Sequence, residues 1–167
     1  MVFDRLQLYP QAEKYYKQAA ELKKRCGGES LSYADTLNNL AIVYNQTNRQ
    51  TEALRLHRKV LEIREAKLGR EHADFLHSLY HIGNTYELLG EYDKAIDYHA
   101  MALRNNTFST LELADVHGAL ARAYEAKGNY KKAIYYYEIC LDLIEKARGC
   151  DTFCLLYTSP SPRDVEE

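Results

Sequence analysis

The residues of this chain best suited to chemistry are three histidines that lie close together in the sequence. His77 and His81 are four residues apart, and His72 precedes them. On a helix that spacing places two imidazoles on one face, and a neutral pair of this kind can hold zinc. Zinc proteases carry a glutamate directly after the first histidine, whereas Ser78 stands there in this chain. A metal-dependent enzyme fragment is therefore the least favoured of three functional hypotheses.

Other catalytic arrangements have no support in the sequence. The chain contains no glycine-rich phosphate loop, no Gly-x-Ser-x-Gly motif and no pair of acidic residues in an apolar setting. His57 and His99 occupy apolar-face positions, where we expect core or boundary histidines, and His117 has no visible partner. We therefore predict a protein that is not an enzyme, with no catalytic residue, no metal ligand and no cofactor.

The segments that carry these histidines are copies of one another. Three columns of residues recur with steps of 42 and then 38 positions: Tyr44, Tyr86 and Tyr124; Ala53, Ala95 and Ala133; Leu61, Leu103 and Leu141. Within each copy two amphipathic stretches are separated by a few residues. The internal repeat predicts a series of helical hairpins.

Small residues support this interpretation of the repeat. Asn48, Gly90 and Gly128 stand where the first helix of each hairpin should end in a left-handed residue. The alanine column lies one turn into each second helix, where two helix axes can approach closely only if the side chain is a methyl group. A larger residue in that column should cost ~1–3 kcal/mol by overpacking.

The repeated motifs resemble the tetratricopeptide repeat. Its first-helix pattern is matched by Leu40-Ala41-x-x-Tyr44, Ile82-Gly83-x-x-Tyr86 and Leu120-Ala121-x-x-Tyr124. Its second-helix pattern is matched from Ala53, Ala95 and Ala133, and a half-unit begins at Ala12. The resemblance implies an all-α fold, a right-handed α-α superhelix of about three and a half helical hairpins. We expect a partial repeat over residues 1–30 and full repeats over residues 31–69, 70–107 and 108–150.

The longer units are similar to the kinesin light chain variety of this repeat. The similarity is carried by Thr36-Leu37-Asn38-Asn39-Leu40-Ala41-x-x-Tyr44 and by Ile63-Arg64-Glu65-x-Lys67-Leu68-Gly69-x-Glu71-His72-x-Asp74. Ala73 stands where that variety often has proline, and the third unit has lost the Lys-Leu-Gly stretch. The resemblance implies a non-catalytic scaffold for protein–protein interaction. The alternative is a regulatory or sensory repeat region of a larger signalling protein.

Both ends of the chain depart from the repeat pattern. Residues 6–9 lie where the first helix of a repeat should end, so we expect the chain to begin inside a repeat unit. Residues 154–164 abandon the helical period and resemble a translated sequencing adapter, so we expect residues 151–167 to be non-native. The alternative is a natural disordered tail whose Ser-Pro pairs are phosphorylation targets.

Composition narrows the partners and the cellular location. The 167 residues are 46% hydrophobic and carry a formal net charge of -2 with interleaved signs, so no basic face is available for nucleic acid. No apolar run approaches the ~20 residues needed to span a bilayer, and we expect no membrane partner. Cys140 occupies a repeat core position, where we expect a buried thiol, and reduced cysteines indicate a cytoplasmic protein. The tyrosine columns, including Tyr92 with Tyr130, are expected to be core.

Stacked hairpins place their first helices side by side, which predicts a peptide-sized groove. We predict that it is lined in the first full repeat by Asp35, Asn38, Asn39, Ile42 and Asn45. The second repeat contributes His77, Tyr80, His81, Asn84 and Glu87, and the third contributes Asp115, Arg122 and Glu125.

The types of these groove residues indicate the kind of partner. Asparagine side chains both donate and accept hydrogen bonds, so they can bond the backbone of an extended peptide. The acidic members outnumber Arg122, which favours a neutral or basic segment. Acidic residues and His77 stand where the family's carboxylate clamp needs a basic group. The C-terminal tails of the Hsp70 and Hsp90 chaperones are therefore poor candidates.

Overall fold

Seven helices make up the computed structural model, which describes residues 2–104 and 108–148, with side chains from residue 8 onward. They are α1 Val2–Gly27, α2 Leu31–Gln46, α3 Gln50–Leu68, α4 Ala73–Leu88, α5 Tyr92–Ala102, α6 Thr110–Ala126 and α7 Tyr130–Ala147. No strand occurs in those residues. The expected all-α class is confirmed.

The first helix is longer than the repeat pattern predicts. We expected residues 6–9 to end a first helix, but α1 continues through Pro10 without a break. The prediction of a helix end there is wrong. Proline in a helix interior removes one backbone donor and costs about 3 kcal/mol, yet the residues on both sides of Pro10 are helical here. The N-terminal region thus consists of one helix instead of the end of one and the start of another.

The remaining helices form three hairpins, distributed over two compact units. Residues 1–107 form the first unit, with the pairs α2–α3 and α4–α5, and residues 108–167 form the second, with α6–α7. Asn48, Gly90 and Gly128 adopt φ values of 58°, 75° and 74° in the hairpin turns. The left-handed turn residues are therefore confirmed, and glycine or asparagine is required there because other side chains are strained at positive φ.

A cation lies over the repeated tyrosine of each hairpin. Arg49 is 4.1 Å from the ring centre of Tyr44, Lys94 is 5.3 Å from that of Tyr86, and Lys132 is 4.9 Å from that of Tyr124. Each cation comes from the turn or from the first residues of the second helix. The contact therefore stabilises the packing of the two helices of one hairpin next to the turn.

The alanine column forms the tight contact between paired helices. Ala53, Ala95 and Ala133 are buried, as predicted. In the first full hairpin Ala53 packs with Leu40, Ala41 and Tyr44. In the next, Ala95 packs with Ile82 and Tyr86.

A glycine of α4 makes room for a histidine of α5. His99 is fully buried, and a Cβ placed on Gly83 would lie 2.5 Å from its Cε1 atom and 2.6 Å from its Nδ1 atom. Real Cβ atoms do not approach other atoms so closely. Gly83 is therefore needed for the position of the His99 ring.

The second unit is less completely packed than the repeat predicts. Tyr130 and Leu141 on α7 are exposed, and Cys140 is only half-buried. The prediction that Tyr130 belongs to the core is wrong, since its side chain is 65% exposed. Cys140 lies against Gly118 of α6 but is only half-buried, so the prediction of a buried thiol is also wrong. Tyr124 and Tyr136 do pack, with stacked rings 5.5 Å apart.

The second helix of the middle hairpin is short. α5 has 11 residues, whereas α3 has 19 and α7 has 18. Next to it lies a cleft of about 410 Å³, lined by Leu61, Glu65, Arg70, Glu71, Phe75, Leu76, Leu79, Tyr98, Met101 and Arg104. The lining residues come from α3, α4 and α5 and from the segments around Arg70 and Arg104.

Candidate functional site

The predicted groove residues of the first unit lie on α2 and α4. On α2, Asp35, Asn39 and Ile42 are exposed, Asn45 is half-buried and Asn38 is buried. On α4, all five are half-buried: His77, Tyr80, His81, Asn84 and Glu87. We call these ten residues the first-helix face. Its α4 residues are all half-buried, whereas three of its five α2 residues are exposed.

A hydrogen bond joins the two helices of the first-helix face. The side-chain amide of Asn45 donates to the Thr85 hydroxyl at 2.9 Å, and that hydroxyl donates to the His81 carbonyl at 2.9 Å. Asn45 and Thr85 are 40 positions apart in the chain. This bond joins α2 to α4 near the end of each helix.

Three asparagines of this face have acceptor atoms without partners. The Oδ1 atoms of Asn38, Asn45 and Asn84 are buried and have no hydrogen-bond partner among the described residues. A buried acceptor without a donor costs about 1–3 kcal/mol. Because the three atoms are buried, a donor could reach them only after the asparagine side chains rotate outward.

Arg64 of α3 was not predicted as a site residue, yet it reaches the first-helix face. Its guanidinium donates to Asp35 Oδ1 at 2.8 Å, to the Asp74 carbonyl at 2.9 Å and to the Ser78 hydroxyl at 3.0 Å. Asp35 therefore shares its charge with a buried cation. We expected acidic residues to outnumber basic ones over the whole groove, and Arg64 compensates one of them, Asp35.

Two imidazoles stack beneath the face. His57 of α3 is fully buried, and its ring lies parallel to that of His81, with centres 5.5 Å apart. Burial, with smaller effects from His81 and Arg64, lowers the pKa of His57 to about 3. Burial, with smaller effects from His77 and Arg64, lowers the pKa of His81 to about 4. Both rings are neutral at physiological pH.

Two of the three histidines considered as zinc ligands, His72 and His81, make other contacts. His81 faces the buried ring of His57 on α3. In the described residues, no group of three or more His, Cys, Asp and Glu side chains is arranged to hold a metal ion. His72 is engaged in capping α4, where its Nδ1 accepts from the Asp74 backbone at 3.1 Å.

Tyr80 and Glu87 flank the second buried histidine. The Tyr80 ring lies 5.5 Å from that of His99, and Glu87 Oε1 lies 3.8 Å from His99 Nε2. Two predicted groove residues of α4 therefore also contact the core of their own hairpin. Their polar atoms sit at the boundary between core and surface.

The three predicted residues of α6 belong to the second unit. Asp115, Arg122 and Glu125 are all exposed there. Glu125 accepts a hydrogen bond from the Tyr137 hydroxyl at 2.8 Å, so its position is fixed by α7. The Tyr137 ring itself is 36% exposed.

Some expectations concern residues outside the described ranges. The adapter-like segment 154–164, the tail 151–167, Cys150 and Cys154 all lie there. Of the described cysteines, Cys26 and Cys140 are free. None of the described helices combines the length and the apolar character needed to cross a membrane.

Comparison with known families identifies the repeat. Sequence patterns of the tetratricopeptide repeat match residues 1–66 and 51–107, and a further pattern of the same repeat matches residues 116–151. These matches include both units and all seven helices in whole or in part. No curated protein sequence matches the chain.

Solved structures agree with this assignment at the level of the fold. BtubC (BKLC) from P. vanneervenii is 22% identical with a TM-score of 0.77; the alignment covers 99% of this chain and 65% of that one. A putative kinesin light chain with nearly identical TPR-like repeats from Podosopora anserina is 21% identical with a TM-score of 0.73, covering 86% and 71%. The TPR domain of Arabidopsis FLU is 19% identical with a TM-score of 0.59, covering 68% and 95%.

Proposed function

Since the chain belongs to the tetratricopeptide repeat family and is thus a protein-interaction scaffold, we propose that it binds an extended peptide segment of a partner protein. The first-helix face of α2 and α4 forms the binding surface in the first unit. Asp115, Arg122 and Glu125 form a separate candidate surface in the second unit. The activity is binding alone, without a catalytic step.

The observation that carries the proposal is the set of unpartnered asparagine acceptors. Asn38, Asn45 and Asn84 lie on the two adjacent helices and lack donors for their Oδ1 atoms among the described residues. An extended peptide offers a backbone N–H at every residue except proline. The Oδ1 atoms are buried in the free chain, so the asparagine side chains would rotate outward when the peptide binds. Hydrogen bonds to the backbone would then give affinity for many sequences, and side-chain contacts would select among them.

The compensated charge on α2 favours a neutral peptide there. Arg64 pairs with Asp35 at 2.8 Å. In the second unit Asp115 and Glu125 outnumber Arg122, which favours a basic residue there. Such charges mainly set the encounter rate and the choice of partner.

The long repeats favour a kinesin light chain-like scaffold over other members of the family. The support is the match to Ile63-Arg64-Glu65-x-Lys67-Leu68-Gly69, in which Arg64 has the structural role described above. The free thiols Cys26 and Cys140 favour a reducing, cytoplasmic setting.

Peptide binding is tested with an array of immobilised 15-residue peptides of neutral, basic and acidic composition, followed by fluorescence anisotropy on the strongest binder. The paired substitutions Asn38→Ala and Asn84→Ala should weaken binding about tenfold, since each lost hydrogen bond contributes about 0.5–1.5 kcal/mol. The control is Gln18→Ala, which removes an exposed carboxamide from α1. Equal affinity for the double variant and the control would contradict the proposed site.

The charge preference is tested separately in the second unit. Reversal of Asp115 and Glu125 to lysine should weaken binding of a basic peptide at low salt and leave a neutral peptide unaffected. The difference should shrink as salt screens the charges. Unchanged binding of the basic peptide at low salt would remove α6 from the site and leave the α2 and α4 assignment standing.

A further inference from the structure

Two exposed arginines of α3 carry positive charges that no carboxylate of the described ranges balances. Arg55 and Arg58 are three positions apart, which makes them neighbours on one side of the helix. Glu52, one turn before Arg55, pairs with Arg49 instead. Within the described part of the chain, the hydrogen bond of Arg58 goes to a neutral hydroxyl group. The two guanidinium groups are therefore available to an anion from outside the chain.

A buried tyrosine of α4 fixes the position of Arg58. The Arg58 guanidinium donates to the Tyr86 hydroxyl at 2.7 Å, and Tyr86 is only 4% exposed. A phenol both accepts and donates, so this hydroxyl can also donate its own proton to a further acceptor. Lys94 of α5 lies over the same ring, 5.3 Å from its centre, and pairs with Glu91. Arg58 is thus held in place by a neutral partner that leaves its charge uncompensated.

The two arginines line one surface pocket of about 390 Å³. Its lining consists of Thr51, Leu54, Arg55, Arg58, Lys59 and Glu62. Three of these residues are cations and one is an anion. Lys59 lies 3.6 Å from Glu62 and 2.8 Å from Glu29, so its charge is offset by these two carboxylates. The excess positive charge of the pocket is therefore that of Arg55 and Arg58.

The charge and the donors of this pocket indicate the kind of anion that fits it. Guanidinium groups bind carboxylates and phosphates through pairs of parallel N–H donors. A carboxylate carries a single negative charge, whereas a phosphate monoester carries about −1.5 to −2 at neutral pH and has three acceptor oxygens. Two unbalanced arginines with a threonine hydroxyl beside them match the phosphate more closely in both charge and number of donors.

We propose that this pocket, which we call the Arg55–Arg58 pocket, binds a phosphorylated side chain of a peptide segment from a partner protein. The phosphate contacts both guanidinium groups, and phosphorylation of the partner strengthens its binding. The source of the phosphate is a protein because the chain belongs to a family of protein-interaction scaffolds. The pocket contains no residue of the first-helix face, so this proposal does not depend on the peptide site proposed there.

The test is fluorescence anisotropy of the full chain with labelled peptide pools that have random residues around one fixed central position. That position holds phosphoserine, phosphothreonine or phosphotyrosine, and matched pools hold the unmodified residue or glutamate. At least one phosphorylated pool should bind about tenfold more tightly than its matched pools, because charge-assisted hydrogen bonds to the phosphate are added. Equal affinity for phosphorylated and unmodified pools would overturn the proposal. Equal affinity for the glutamate pool would show that a carboxylate suffices.

Inorganic phosphate distinguishes a phosphorylated peptide from free phosphate as the ligand. It should displace the phosphorylated pool only when it is in large excess, since the peptide adds contacts along α3. If inorganic phosphate binds as tightly as the phosphorylated pool, the assignment to a partner peptide is wrong.

Three variants assign the binding to the Arg55–Arg58 pocket. Arg55→Gln should weaken binding of the phosphorylated pool about tenfold and leave the melting temperature unchanged, because this exposed side chain has no structural contact of its own to lose. Arg58→Lys keeps the charge and loses the planar pair of donors, so it should weaken binding severalfold. Arg25→Gln, which removes an exposed arginine from α1, is the matched control.

Two outcomes with these variants would contradict the proposed pocket. An equal loss in Arg25→Gln would show that net charge alone attracts the peptide. Unchanged affinity of Arg55→Gln for the phosphorylated pool would exclude that arginine from the site. The double variant Asn38→Ala with Asn84→Ala should keep its preference for phosphorylated peptides, so the two proposed sites can fail independently.

Discussion

Arg64 on α3 and Asp35 on α2 form an ion pair of unequal burial. Their side chains are 9% and 60% exposed, and Arg64 Nη2 lies 2.8 Å from Asp35 Oδ1. The same guanidinium also donates to the Asp74 carbonyl and to Ser78 on α4. The Arg64 side chain therefore links α2, α3 and α4 beneath the first-helix face. Its partners on α4 are shielded from water, whereas Asp35 on α2 is not.

This asymmetry predicts that the two partners differ in their effect on stability. Arg64→Lys should lower the free energy of unfolding by about 1–3 kcal/mol, because a single ammonium cannot reach all three acceptors of the planar guanidinium. Asp35→Asn should cost less than about 1 kcal/mol, since this side chain is mostly in water. Urea denaturation followed by circular dichroism measures both. Equal losses would show that the pair acts as an ordinary surface salt bridge.

Alanine substitution should have opposite effects at two helical glycines. Gly83→Ala should destabilise the protein, since overpacking against the buried His99 ring costs about 1–3 kcal/mol and exceeds the roughly 1 kcal/mol gained in helix propensity. At Gly118 a Cβ would lie 3.5 Å from Cys140 Sγ, an ordinary contact. Gly118→Ala should therefore raise stability by up to about 1 kcal/mol.

Thermal melting of the two glycine variants measures the contrast. Combining Gly83→Ala with His99→Ala provides the internal control, because the clash disappears when the ring is removed. The double variant should lose less stability than the sum of the single variants. Strict additivity would mean that the ring and the new methyl group do not meet.

The buried histidines predict a loss of stability in mild acid. In the folded state the pKa values of His57 and His81 are about 3 and about 4, below the ordinary value of 6.5. At pH values between the folded and the ordinary pKa of each ring, the unfolded chain binds more protons than the folded one. The free energy of unfolding therefore falls as the pH falls through that range. Each ring contributes about 1.4 kcal/mol per pH unit in that range, and its contribution is complete above pH ~6.5.

The pH dependence is measured from urea unfolding between pH 7.5 and 5. His57→Phe should reduce the slope, because one ring with a lowered pKa is removed while those of His81 and His117 remain. Gln18→Ala removes no titratable group and serves as the control, so it should leave the slope unchanged. A slope that stays the same in His57→Phe would contradict the assignment.

The start of α6 is stabilised by a reciprocal capping box. The Glu112 backbone donates to Ser109 Oγ at 3.4 Å, and the Ser109 backbone donates to Glu112 Oε2 at 2.7 Å. Ser109→Ala should cost about 1 kcal/mol, whereas Ser109→Asp should be nearly neutral. Hydrogen exchange of the first-turn amides of α6 measures this effect locally. Equal protection in both variants would show that the cap contributes nothing.

The fold was largely predictable because its determinants are local. Asn48, Gly90 and Gly128 mark the hairpin turns through their backbone conformation, and the alanine column marks the close helix contacts through its size. These signals lie within a single hairpin and recur in each copy. The length of α5 was not predictable, because no glycine or proline in residues 102–104 marks its end.

The candidate site was predictable only in part. The position of a residue on a helix face follows from its number, so the α2 and α4 residues could be named in advance. The role of Arg64 could not, because a long flexible side chain leaves open where its charged end will lie. The one indication in the sequence that Arg64 is buried was its place directly after the apolar residue Ile63 on α3. The pairing of His57 with His81 depends on packing between hairpins.

Because a Cβ at Gly83 would clash with the His99 ring, positions 83 and 99 should change together during evolution. A lineage that acquires a methyl group at position 83 must first lose the imidazole at position 99, whereas a smaller residue at position 99 frees position 83 to change. Related sequences should therefore combine glycine with a ring, or alanine with a smaller side chain, and should rarely combine alanine with histidine.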